Sequence, residues 1–139
     1  MPFKTNLIVT PTTGRTLRLC QDLVYQDEDG TLITLMAGFE SDGESGPEIL
    51  KSIVLPYTGY RQWPAMTHDG LYQAGLPKAY CDQVYRRALL SLPIESAVSE
   101  ALYEAVHLFG GSSYRLDQQD IDKAHRAVAH LRITLPPSV

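Results

Sequence analysis

The sequence predicts an α+β fold: small N-terminal antiparallel β hairpins packed on a C-terminal bundle of about four helices. Two observations carry this expectation. Up to Phe39 the apolar residues fall in short period-two runs separated by glycine and acidic turns. From Pro47 onward they recur at helical spacing between proline and glycine breaks. A length of 139 residues suits one domain over 1–139, β-rich over 1–40 and mainly helical over 47–131.

The elements follow in order. Asn6 to Thr10 is a short apolar run, and Thr16 to Cys20 alternates. Leu23-Val24-Tyr25-Gln26 and Thr31-Leu32-Ile33-Thr34-Leu35 flank Asp27-Glu28-Asp29-Gly30, an acidic turn ending in glycine between β-formers and hence a hairpin signal. The loop from Glu40 to Pro47 is rich in glycine and oxygen-bearing side chains. Pro47 to Leu55 reads as a short helix with proline at its first position. Pro64 opens the helix carrying His68, and Gly75 with Pro77 closes it. The next helix runs to Leu92. Ile94 to Phe109 then places Ile94, Val98, Ala101, Leu102, Ala105 and Phe109 at core spacing before Gly110-Gly111. A last helix begins at Asp117 or Asp120 with Ile121, Ala124, Val128 and Leu131 on one face, and the Pro136–Val139 tail is expected to fray.

Composition narrows the function. The chain is 44% hydrophobic and 20% charged, with a formal net charge of −4. No lysine or arginine run exists, so no nucleic-acid grip is expected. No apolar run reaches the length of a transmembrane segment, and the N-terminus is too short in apolar residues for a signal peptide. Cys20 and Cys81 lie outside any CxxC pair and are expected to be reduced thiols of a cytoplasmic protein, with a single bridge between them left open.

The chemistry concentrates at His68-Asp69-Gly70-Leu71-Tyr72 and Cys81-Asp82-Gln83-Val84-Tyr85. On a helix His68 and Tyr72 share a face, and Asp69 points about a quarter-turn away. Asp82, from a second short helix folding back, can hold His68 in the tautomer that accepts a proton from water. Tyr72 is expected to hydrogen-bond Asp82. Asp69 is then left for a hard cation such as calcium, with oxygen ligands from the glycine loop at Asp42 and Gly43. Ser45 in that loop and Tyr85 beside the dyad complete the candidate set. The plain alternative is an ordinary helix with a polar patch, its tyrosines serving as core and rim packing. Zinc is not expected, since there is no HExxH and no Cys/His cluster.

These residues resemble a domain-of-unknown-function family of tailed bacteriophages and prophages, over about Leu23 to Gly110. The matching pieces are Gly38-Phe39 with Ser41-Asp42-Gly43-Glu44-Ser45-Gly46-Pro47, then His68-Asp69-Gly70-Leu71-Tyr72, then Cys81-Asp82-Gln83-Val84-Tyr85 with Ala88-Leu89, and Tyr103 through Gly110. Gly46 stands where that family usually has valine and Cys81 where it has alanine. The resemblance implies a phage or prophage protein, found in the cytoplasm of an infected or lysogenic bacterium or in the virion. Over about Pro64 to Leu92 the chain is also similar to the phospholipase A₂ arrangement. That similarity implies His68 as the base, Asp82 as its orienter, Tyr72 as support for Asp82, and Asp69 as a calcium ligand. Three functions are therefore expected: a calcium-dependent ester hydrolase, a non-enzymatic virion or assembly protein, or a phage-encoded binder or inhibitor of a host protein.

Overall fold

Five strands precede the described helices and a sixth follows them, and together they make two three-stranded antiparallel sheets. The structure, a computed structural model, describes residues 2–12, 16–41 and 59–137. One sheet takes the order β1-β2-β5, with β1 Val9–Pro11, β2 Leu17–Leu19 and β5 Glu40–Ser41. The other takes β3-β4-β6, with β3 Leu23–Gln26, β4 Leu32–Leu35 and β6 Leu131–Thr134. Five helices among the described residues follow β5: α1 Gly59–Gln73, α2 Lys78–Leu90, α3 Ser96–Phe109, α4 Gly111–Gln119 and α5 Ile121–Ala129. The α+β class is as the patterning predicts. The expected Pro47–Leu55 helix and the candidates Asp42, Gly43 and Ser45 lie outside the described residues.

The β3–β4 hairpin forms where expected. Leu23 pairs with Leu35 and Tyr25 with Ile33, which puts the four apolar side chains on one buried face. Gly30 adopts φ 91°, the left-handed turn conformation that glycine adopts without strain. Phe3 bridges to Tyr25 and stacks against it at 4.9 Å.

Three expectations need correction. β6 was not foreseen: Leu131 continues the hairpin sheet opposite Leu35, and Ile133 pairs with Ile33. A four-residue alternating run is too short to stand out beside the helix that precedes it. The helix carrying His68 starts at Gly59 rather than Pro64. A proline one turn in forfeits a single backbone bond near the end that has fewest. On α5, Ile121 and Val128 are 67% and 58% exposed, while Ala127 faces the core. The short α4 takes up Gly111–Gln119 between α3 and α5.

The core joins sheet to helices. Leu35 of β4 meets Gly70 of α1 so closely that a Cβ there would lie 2.5 Å from Leu35 Cδ2. Leu71, Val84, Ala88, Leu89 and Leu102 fill the space between α1, α2 and α3. Away from this apolar seam, one ion pair ties the hairpin to α2. Arg87 reaches both oxygens of Asp27 at 2.8 Å, and the Tyr25 hydroxyl also donates to Asp27. The Asp27 and Arg87 side chains are 6% and 27% exposed, so removing either strands a charge largely out of water. Arg87→Ala is expected to lower unfolding stability by about 2–3 kcal/mol in urea denaturation, and Arg87→Lys to recover less than half, because only arginine matches both oxygens. A loss below about 0.5 kcal/mol would show that the pair does not hold the hairpin to the helix.

Candidate functional site

The connection between α1 and α2 decides which side chains meet. α1 ends in a Schellman turn: Gly75 N–H donates to Tyr72 O, Leu76 N–H to Leu71 O, and Gly75 sits at φ 85°. Pro77 then caps α2. This short link makes the two helices antiparallel neighbours, so the last two turns of α1 lie beside the first two of α2. His68 and Tyr72, one turn apart, face Asp82.

Asp82 is the centre of the site. Its side chain is 1% exposed, and both oxygens are occupied. Oδ1 accepts from the Tyr72 hydroxyl at 2.5 Å and faces His68 Nε2 at 2.9 Å. Oδ2 accepts from Lys78 Nζ at 2.6 Å. The His68–Asp82 separation falls inside the hydrogen-bond reach that a dyad needs. The His68 ring lies between Tyr72, at 4.0 Å between centroids, and Tyr85, at 4.8 Å. Beyond Tyr72 stands Tyr114 of α4, edge-on at 5.1 Å, and Gln118 donates to the Tyr72 carbonyl. Gly110 is required here, since a Cβ would lie 3.1 Å from the Tyr72 hydroxyl and 2.4 Å from Val106 O.

The electrostatics assign protonation states. Burial pushes the Asp82 carboxyl up, but hydrogen bonds from His68, Lys78 and Tyr72 outweigh it and hold the group below its ordinary value. Burial pulls His68 below its ordinary value despite the attraction of Asp82, and Lys78 adds to the pull. Burial and the neighbouring Asp82 push the Tyr72 hydroxyl far up, so it remains a donor. At neutral pH the site is a carboxylate, an ammonium and a neutral imidazole. A carboxylate can only accept, so His68 carries its proton on Nε2. Among the described residues nothing hydrogen-bonds Nδ1, and the side chain keeps 12% of its surface exposed. The lone pair on Nδ1 is therefore the open basic position.

Asp69 does not stand apart as expected. Its Oδ2 accepts from Ser41 Oγ at 2.6 Å and from Gln73 Nε2 at 2.9 Å. The i,i+4 spacing of Asp69 and Gln73 places both on the α1 face toward β5. Ser41 immediately precedes the Asp42–Gly46 segment in the sequence, and that segment lies outside the described residues. Among the described residues no group of three or more His, Cys, Asp or Glu side chains could hold a metal. Cys81 is buried and unbridged, and burial beside Asp82 pushes its thiol up to about 12, which leaves it inert at neutral pH. Cys20 is also a free thiol.

The role of Lys78 was missed from sequence, although its signal is an opposite-charge i,i+4 pair with Asp82. Ser41 and Gln73 were likewise not read as partners of Asp69. Trp63 of α1 packs edge-on against Phe3, with ring centroids 5.5 Å apart.

A pH prediction follows from the two depressed groups. Each binds its proton more readily in the unfolded chain, so each makes stability fall as pH falls. His68 begins to act just below its ordinary 6.5 and Asp82 below its ordinary 3.8. In urea denaturation of the wild type and His68→Gln, the stability advantage of the wild type should shrink as pH drops from about 7 to 5. An advantage that grows over that interval would mean that His68 is protonated in the fold.

Comparison with known proteins adds one finding. Residues 17–106 match the family described as protein of unknown function (DUF1353). No curated protein and no solved structure matches the chain. The matched stretch holds His68, Tyr72, Lys78 and Asp82 together with Ser41, Asp69 and Gln73, while His107, Gly110, Tyr114 and Gln118 lie beyond it. The chain belongs to the DUF1353 family.

Proposed function

We propose that the protein is a hydrolase in which His68 activates water against an ester carbonyl. The observation that carries this reading is the His68 ring: Nε2 is tied to Asp82, while Nδ1 is left without a partner among the described residues. A histidine that served packing alone would have no need of an anchored carboxylate behind it and an open lone pair in front.

The steps balance. Water attacks the carbonyl carbon as its proton passes to Nδ1. Asp82 stabilises the imidazolium through the Nε2 proton, and Tyr72 keeps the carboxylate in place. The tetrahedral intermediate collapses, the carbon–oxygen bond to the alcohol breaks, and Nδ1 returns the proton to the leaving oxygen. Since His68 is neutral above its lowered pKa, the rate should fall on an acidic limb below 6.5.

Calcium belongs to the same proposal. Asp69, with oxygens of the loop at Asp42 and Gly43, would hold it, and a bound calcium stabilises a developing oxyanion. The support is the Ser41–Asp69 hydrogen bond, which brings the entry of that loop to the carboxylate. A phage or prophage setting, in an infected or lysogenic bacterium or in the virion, is likewise part of the proposal and rests on the motif resemblance.

A second reading has its own observation. Asp82 is buried with every oxygen occupied, and Lys78 also donates to the Val106 and His107 carbonyls. The cluster thus fastens α1, α2 and the end of α3, which is all that a non-enzymatic virion or assembly protein needs.

His68→Gln separates the two. Glutamine still offers an N–H to Asp82, so stability should change by less than about 1 kcal/mol. Turnover of nitrophenyl esters or phospholipid vesicles should drop by about a hundredfold or more. Chelation should abolish turnover if calcium serves the site and leave the fold unchanged. A wild type with no turnover on either substrate class, with or without added calcium, would remove the hydrolase reading.

A further inference from the structure

We infer that Lys78 is a positioning residue of this site, acting through Asp82 to fix the direction of the Asp82–His68 hydrogen bond. Its effect on turnover rests on the hydrolase reading. Its effect on Asp82 does not.

The geometry is specific. The three N–H donors of the ammonium meet three acceptors: Asp82 Oδ2 at 2.6 Å, Val106 O at 3.3 Å and His107 O at 3.2 Å. The two carbonyls belong to the last turn of α3, where a cation is favoured by the helix dipole, and the Val106 carbonyl also accepts from Gly110 N–H. Lys78 itself is the first residue of α2. A cation at that end opposes the helix dipole, so its own helix gives no reason for it. Asp82 gives the reason.

The groups around Asp82 show why the charge counts. His68 and Tyr72 face it from α1, Lys78 and Cys81 from α2, and the Asp117 carboxylate of α4 acts on the same cluster through His68. Lys78 is the sole cation among them at neutral pH. Without it, a carboxylate with a 1% exposed side chain keeps only neutral donors, and a buried carboxylate so placed takes up a proton at a higher pH. The protonated acid can then donate to Nε2. That reverses the hydrogen bond and moves the imidazole proton to Nδ1, where the water-facing lone pair must be. Lys78 keeps Asp82 an acceptor and so keeps Nδ1 basic.

The experiment follows the Asp82 side-chain carbon and the His68 ring nitrogens by NMR against pH in the wild type, Lys78→Met and Lys78→Arg. Lys78→Gln serves in place of Lys78→Met if that variant does not fold. In the uncharged variant the Asp82 midpoint should rise by about one to three pH units, and where Asp82 is protonated the ring proton of His68 should sit on Nδ1. Lys78→Arg keeps the charge and should keep the wild-type tautomer. For any ester the wild type turns over, the acidic limb of kcat should move to higher pH in the uncharged variant, with a loss of about tenfold or more below the raised Asp82 midpoint and KM little changed, and arginine should restore most of it. An Asp82 midpoint that does not move, or a tautomer unchanged after Asp82 is protonated, overturns the inference. No turnover in any variant, with the midpoint and tautomer shifted as described, instead overturns the hydrolase reading and leaves Lys78 in its role.

Discussion

A carboxylate taken out of water must be met by donors on every side, and Asp82 imposes that demand on three helices at once. Its partners are His68 and Tyr72 of α1 and Lys78 of α2, and Lys78 extends the network to the end of α3. An uncompensated charge at this depth would cost several kcal/mol, so these helices cannot slide or rotate independently. The Schellman turn at Gly75 and the cap at Pro77 set the antiparallel approach, and Gly110 allows the end of α3 to close on the Tyr72 hydroxyl. The sheets contribute from the other side. Leu35 seats against Gly70, and Ser41 bonds Asp69 one residue beyond His68.

The same constraint explains the division of labour around His68. With Lys78 balancing Asp82, the imidazole gains little by ionising, and burial tips it neutral. One ring nitrogen is then committed to the carboxylate and the other is not. Sequence-adjacent Asp69 belongs to a separate network with Ser41 and Gln73. A one-residue step along the helix thus passes from the dyad to the contact with β5 at Ser41.

Much of this was legible because it obeys helical spacing. His68 with Tyr72 and a later Asp82 are placed by the i,i+4 rule and one short turn, so their meeting follows from local geometry. The β3–β4 hairpin was legible for the same reason: its turn residues and alternation are local. What escaped depends on distant contacts. β6 is four residues whose only reason to be extended is the open edge of β4. Ser41 reaches Asp69 across 28 positions, and Lys78 reaches the α3 carbonyls across 28 and 29, distances at which spacing says nothing. On α5, the stripe of Ile121 and Val128 was read as core-facing, yet both are exposed and Ala127 faces inward instead.

The central claim is that His68 is a neutral imidazole held by Asp82 through Nε2 with its lone pair outward on Nδ1. Long-range nitrogen–proton NMR correlation of the His68 ring in the wild-type protein at neutral pH tests it directly. The account predicts a protonated Nε2 and an unprotonated Nδ1. A proton on Nδ1, alone or together with one on Nε2, would contradict it.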